Sequence, residues 1–165
     1  MGKRLFMKTT EIKIVVHEFE NIDELPVNDQ NLLKEARRIT GQAYAPYSGF
    51  HVGAAVLLGN GTIVTGNNQE NSAYPSGLCA ERVALFYANA NFPESAVKTI
   101  AISAAKNGVL VSEPVKPCGD CRQALAETEV RFETPIRIIL DGHNSIMVLN
   151  GVESLLPLSF SKKAL

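Results

Sequence analysis

Residues Val52 to Leu58 read Val-Gly-Ala-Ala-Val-Leu-Leu, an unbroken small and apolar run. A strand with one wet face alternates apolar and polar residues, so a continuous run predicts a central strand covered on both faces. Gly59-Asn60-Gly61 is a strong turn signal, and Thr62 to Gly66 is expected to return as the partner of a hairpin. The small residues Gly53, Ala54 and Ala55 would let another element pack closely over the strand.

The remaining segments supply the covering layers. Leu32, Leu33, Ala36, Ile39 and Ala43 fall close to helical spacing and predict a helix over Asp29 to Gln42. From Cys79 the pattern turns helical again through Val83, Leu85, Phe86 and Ala90, and Asn91-Phe92-Pro93 ends it. Val97 to Ala105 reads as a buried strand, with a shorter one at Gly108 to Ser112. Cys118 opens another helix, Ile136 to Leu140 and Ile146 to Leu149 are β-type runs, and Asp141-Gly142 between them is a turn. Near the start, Ile12, Ile14 and Val16 alternate with Lys13 and Val15, which predicts a half-buried edge strand over Thr10 to Glu20. Alternating strands and helices imply a three-layer α/β domain with a mixed sheet: an antiparallel hairpin first and βα crossovers after it.

Length and composition limit what such a domain can do. At 165 residues the chain fits one domain with a real core; residues 1–10 are expected to be a loose leader and 11–165 the domain, with its extra N-terminal strand. Hydrophobic content of 45%, charged content of 20% and a net charge of -1 predict a globular protein that neither spans a membrane nor grips a nucleic-acid backbone. No secretory signal is evident, because the apolar piece Leu5-Phe6-Met7 is too short for one, and a cytoplasmic location is expected.

The chemistry lies in two short stretches, Leu78-Cys79-Ala80-Glu81-Arg82 and Pro117-Cys118-Gly119-Asp120-Cys121-Arg122-Gln123. They hold all three cysteines of the chain, an odd number with one Cys-x-x-Cys pair, a pattern that suits metal or redox chemistry rather than a disulfide framework. Structural zinc sites usually have four protein ligands, whereas catalytic sites keep three and leave one position to water. Cys79, Cys118 and Cys121 therefore fit a catalytic zinc, and a structural zinc or a redox pair is the competing reading. A helix start favours thiolates, because its unpaired N–H groups present positive potential. Three thiolates around a dication leave one net negative charge, which Arg82 and Arg122 are placed to offset as hydrogen-bond donors to sulfur. Glu81, two residues after Cys79, is placed to carry protons without binding the metal.

A Cys-Ala-Glu followed by Pro-Cys-x-x-Cys is the three-cysteine form of the zinc nucleobase deaminase signature. From about Leu32 to Phe160 the chain resembles the small three-cysteine cytidine deaminases, through Y-S-G-F-H-V-G-A-A, G-N-N-Q-E-N-S-A-Y, C-A-E-R and P-C-G-D-C-R-Q. The resemblance implies a three-layer α/β/α sandwich with a mixed five-stranded sheet and one Zn2+ per subunit held by Cys79, Cys118 and Cys121. It also implies that Glu81 protonates N3 of cytosine during attack on C4 and then passes a proton to the leaving ammonia. Asn68 and Glu70 match the pair that holds the ribose hydroxyls, Phe50 the aromatic packed on the base, and Ala80 a backbone contact to the pyrimidine edge. The family is typically homotetrameric with shared sites, which would assign Ser72, Tyr74 and Phe160 to a neighbour's pocket. The implied activity is hydrolytic deamination of cytidine and 2'-deoxycytidine in pyrimidine salvage. Deamination of a related compound such as blasticidin S, a noncatalytic zinc-stabilised module, and a polynucleotide editor are the alternatives.

Overall fold

The computed structural model describes residues 7–161. Seven strands form one sheet: β1 (His17–Phe19), β2 (Phe50–Leu58), β3 (Ile63–Asn67), β4 (Val97–Lys106), β5 (Val109–Leu110), β6 (Arg137–Leu140) and β7 (Ile146–Asn150). Three α-helices accompany them, α1 (Val27–Ile39), α2 (Ala80–Asn91) and α3 (Gly119–Phe132). The strand order is β1-β7-β6-β4-β2-β3, and β5 pairs with the far end of β4. Only β4 and β6 pair in parallel among these strands, joined by a crossover that includes α3. The expected hairpin is present, with Val56 opposite Val64, and β2 continues into β4 on its other side.

The unbroken run in β2 has the predicted cause. On one face Ala55, Ala101, Ile139 and Val148 pack against Leu32, Leu33 and Ala36 of α1. On the other, Ala54, Val56, Ile100, Ile102 and Ile138 pack against Ala84 and Leu85 of α2 and Leu125 of α3. Period-two alternation thus sends neighbouring residues into different cores, and both positions must be apolar. Close approach is enforced at two glycines. A methyl group at Gly53 would run into the Ala36 carbonyl of α1, and one at Gly66 would sit 2.5 Å from the Ala84 nitrogen of α2.

Two expectations need correction. The predicted strand over Thr10 to Glu20 is reduced to His17–Phe19, and Ile12, Ile14 and Val16 are exposed rather than half-buried. Its partner sets an outer limit: His17 lies opposite Val148 and β7 runs only two residues further, to Asn150, before Gly151 at φ +81° turns the chain away, so nothing ahead of Val15 could pair with it. The sheet has seven strands rather than five, because the two short strands β1 and β5 lengthen it. The leader's first six residues and the end of the tail, 162–165, lie outside the described residues. Among the described residues no helix is long and apolar enough to cross a membrane.

A half-buried ion pair ties α1 to the sheet. Asp141, fully buried after β6, accepts hydrogen bonds from Arg37 Nε at 2.8 Å, Arg37 Nη2 at 2.7 Å and Ser103 Oγ at 2.7 Å. Such saturation is what makes a buried carboxylate tolerable. The same bond holds the Arg37 guanidinium above its ordinary pKa.

Candidate metal centre and its cavity

The two cysteine stretches meet because α2 and α3 begin side by side on one face of the sheet. Cys79 is the residue capping the start of α2 and Cys118 the one capping α3, and neither side chain makes a capping hydrogen bond. Both thiols are therefore free of the local bond that a serine or aspartate makes at this position. Cys121 lies in the first turn of α3 and is completely buried.

The three sulfurs form a cluster with all members within 4.8 Å of one another. Cys79 and Cys118 are 3.7 Å apart and Cys118 and Cys121 are 3.4 Å apart. A tetrahedral zinc with Zn–S bonds of about 2.3 Å needs sulfurs roughly 3.8 Å apart, so the cluster already has nearly the required size. The neighbouring Cys121 thiol, aided by Arg82 and Cys118, lowers the Cys79 pKa to about 5. The same contact and burial push the Cys121 thiol upward. A bound cation would displace the thiol protons and take thiolates as ligands.

Arg82 is placed to offset the sulfur charge, its Nη2 lying 3.9 Å from Cys79 Sγ. Its buried Nε has no hydrogen-bond partner, which suits a site meant to concentrate negative charge beside it. Arg122 does not share this task. Its Nε bonds the Pro117 carbonyl at 2.9 Å and its Nη1 the Leu155 carbonyl at 2.7 Å, fixing the turn before Cys118 to the C-terminal segment.

Glu81 occupies the first turn of α2 and is only 4% exposed. Burial raises its carboxyl above the usual carboxylate range, and the neighbouring Cys79 charge adds to this. The raised pKa favours the protonated carboxyl, the form that can donate a proton.

An adjoining cavity of about 680 Å³ is lined by Cys79, Ala80, Glu81, Arg82 and Cys118. Phe50, Asn68, Glu70 and Tyr74 line it as well. Ser72 and Phe160 are exposed and are not among its lining residues. Gln123 Nε2 holds the Phe160 carbonyl at 3.0 Å. The amide-rich loop is tied down by main-chain pairing: Gln69 and Leu78 exchange hydrogen bonds at 2.9 Å each, and Glu70 N bonds the Tyr44 carbonyl at 2.9 Å. Glu70 and Cys79 are thereby held in fixed relation across the cavity. Asn68 extends the β2–β3 ladder with its side chain, accepting from Val52 N at 2.8 Å and donating to the Phe50 carbonyl at 2.9 Å.

The strap before Cys118, Val111 to Val115, lies against the turn that follows β6. Val115 N bonds the Asp141 carbonyl at 3.1 Å, His143 N the Val111 carbonyl at 2.8 Å and Asn144 N the Ser112 carbonyl at 2.9 Å. A Cβ at Gly142 would lie 2.5 Å from Pro114 N and 2.6 Å from the Glu113 carbonyl carbon, so only glycine lets the strap lie there. Gly142→Ala is expected to displace it and weaken zinc affinity about tenfold. Competition with a chromophoric chelator measures this, and unchanged affinity would remove the strap from any role in placing Cys118.

Residues 26–133 match the family described as the cytidine and deoxycytidylate deaminase zinc-binding region. The chain is 40% identical over 136 residues to a cytidine deaminase of Sporosarcina psychrophila, covering 82% of this chain and 93% of that one. A cytidine deaminase of Halalkalibacterium halodurans is 44% identical over 98 residues, 59% of this chain and 70% of the relative. The fold is similar to the crystal structure of cytidine deaminase from Burkholderia pseudomallei, with a TM-score of 0.66 and 33% identity, covering 79% of this chain and 97% of that one. With a sulfur triangle sized for zinc and a buried carboxyl lining the adjoining cavity, the chain belongs to the cytidine deaminase family, in the small-chain type with a three-cysteine zinc site.

Proposed function

We propose that the protein catalyses the hydrolytic deamination of cytidine and 2'-deoxycytidine to uridine and 2'-deoxyuridine in cytoplasmic pyrimidine salvage. The observation that carries the reading is Glu81, buried against the sulfur triangle, with the polar pair Asn68 and Glu70 lining the same cavity. Zinc held by Cys79, Cys118 and Cys121 would supply a Lewis acid that lowers the pKa of a bound water toward neutrality. Glu81 takes a proton from the attacking water and places it on N3 of the ring as the C4–O bond forms. It then takes the proton of the new C4 hydroxyl and delivers it to the amino group, so that C4=O forms as the C4–N bond breaks and ammonia leaves. Arg82 tempers the negative charge of the thiolates, so that the water keeps its acidity. Phe50 packs on the base, Ala80 offers its backbone to the pyrimidine edge, and Asn68 and Glu70 hold the sugar.

We read residues 11–165 as one domain that works as a homotetramer with one zinc per subunit. Tyr74 at 78% exposure and Phe160 at 63% are large aromatics left open to solvent, as expected of groups that a neighbouring subunit covers. In that assembly Ser72, Tyr74 and Phe160 complete a neighbour's pocket. The test follows the ultraviolet change on deamination with zinc-loaded protein and four compounds: cytidine, 2'-deoxycytidine, cytosine and blasticidin S. Turnover of both nucleosides in preference to the other two is expected. Preference for blasticidin S or free cytosine would overturn the substrate, and no turnover of any would favour a noncatalytic module.

A further inference from the structure

Ser48 lies in the turn before β2, and its hydroxyl donates to Glu70 Oε1 at 2.5 Å while accepting from Phe50 N at 3.0 Å. The other carboxylate oxygen, Oε2, accepts from Tyr47 N at 2.9 Å and Ser48 N at 3.3 Å. A carboxylate has about four lone-pair positions, so these three bonds leave one, on Oε1. These bonds, that from the Ser48 hydroxyl first, hold Glu70 below the ordinary carboxylate pKa, so it is ionised and acceptor-only at neutral pH. The Phe50 main chain is gripped from both sides, its N–H by Ser48 and its carbonyl by Asn68 at 2.9 Å.

We infer that Ser48 is a positioning residue for substrate recognition: its one hydroxyl fixes the Glu70 carboxylate relative to Phe50 and leaves it a single acceptor for one sugar hydroxyl. The inference rests on the proposed nucleoside reading and deepens it. If cytidine and 2'-deoxycytidine are both substrates, the hydroxyl that meets this acceptor is one they share, and the 3'-hydroxyl is the shared group on the furanose ring. Without Ser48 Oγ the carboxylate keeps only its two main-chain donors and can rotate. The spacing between the sugar anchor and the base platform then ceases to be set.

The experiment compares kcat/KM on cytidine and 3'-deoxycytidine for the zinc-loaded wild type, Ser48→Ala and Ser48→Thr. Ser48→Ala is expected to lower kcat/KM on cytidine about tenfold, mostly through KM, in line with the loss of a charge-assisted bond. On 3'-deoxycytidine, which has no hydroxyl to offer, it should change kcat/KM by less than twofold, and Ser48→Thr should restore discrimination. An equal fall on both compounds would mark Ser48 as a fold element only, and no fall on either would remove it from recognition; both overturn the inference while leaving the deaminase reading intact. A wild type inactive on cytidine overturns that reading and this inference together.

Discussion

Glu81→Gln, loaded with zinc, is expected to lose roughly a thousandfold or more of kcat on cytidine while holding as much metal as the wild type. Positioned general acid–base groups contribute about 10²–10⁴-fold, and in the proposed mechanism one carboxyl serves two successive proton transfers. The amide matches the carboxyl in size and hydrogen-bonding reach but cannot carry a proton. Zinc content should not change, because the three-cysteine cluster does not include Glu81. Stability should be equal or higher. Burial already disfavours the ionised Glu81 side chain, shown by its raised pKa, and a neutral amide avoids that desolvation. A stabilised but inactive protein is the signature of a group kept for function at some cost to the fold. A fall of less than tenfold would show that another group carries the protons.

Cys121→Ser is expected to lose both zinc and activity. Cys121 is the completely buried sulfur of the three, and the variant would put a hydroxyl in its place. Serine is a hard, weakly acidic oxygen donor, and a site with two sulfurs left would lose most of its affinity. Thermal unfolding gives a second readout. A ligand present at about a thousandfold over its dissociation constant stabilises the native state by roughly 4 kcal/mol, so the zinc-loaded wild type should melt well above both its metal-free form and the variant. The metal-free wild type and Cys121→Ser should melt close together, since a buried thiol and hydroxyl differ little in volume. If the variant retained zinc at full occupancy, Cys121 would not be a ligand.

How far the sequence leads differs between residues. The Val52 to Leu58 run announced a strand buried on both faces, and the core shows why: Ala54 and Ala55 point into different clusters, each roofed by helices. The cysteines declare themselves through short-range spacing, because a helix start followed by one turn converts three residues of sequence into one side of a clamp. Thr10 to Glu20 misled because alternation describes a strand's own faces and says nothing of whether its partner is long enough; β7 ends at Asn150. Arg122 misled in a related way. Its adjacency to Cys121 suggested a thiolate donor, but its side chain runs to the carbonyls of Pro117 and Leu155. The Asp141, Arg37 and Ser103 cluster left no local trace, since Arg37 and Asp141 are separated by 104 positions. Ser48 stood inside the matched Y-S-G-F-H stretch, yet only the folded loop reveals that its hydroxyl faces Glu70.

The most direct measurement is a zinc titration into metal-free protein, with cytidine deamination followed at each step. The expected result is activity that starts at background, rises linearly with added zinc and stops rising at one equivalent per chain, with uridine and ammonia formed in equal amounts. Undiminished activity in the metal-free protein, or cytidine left intact at full zinc occupancy, would contradict a zinc-dependent cytidine deaminase.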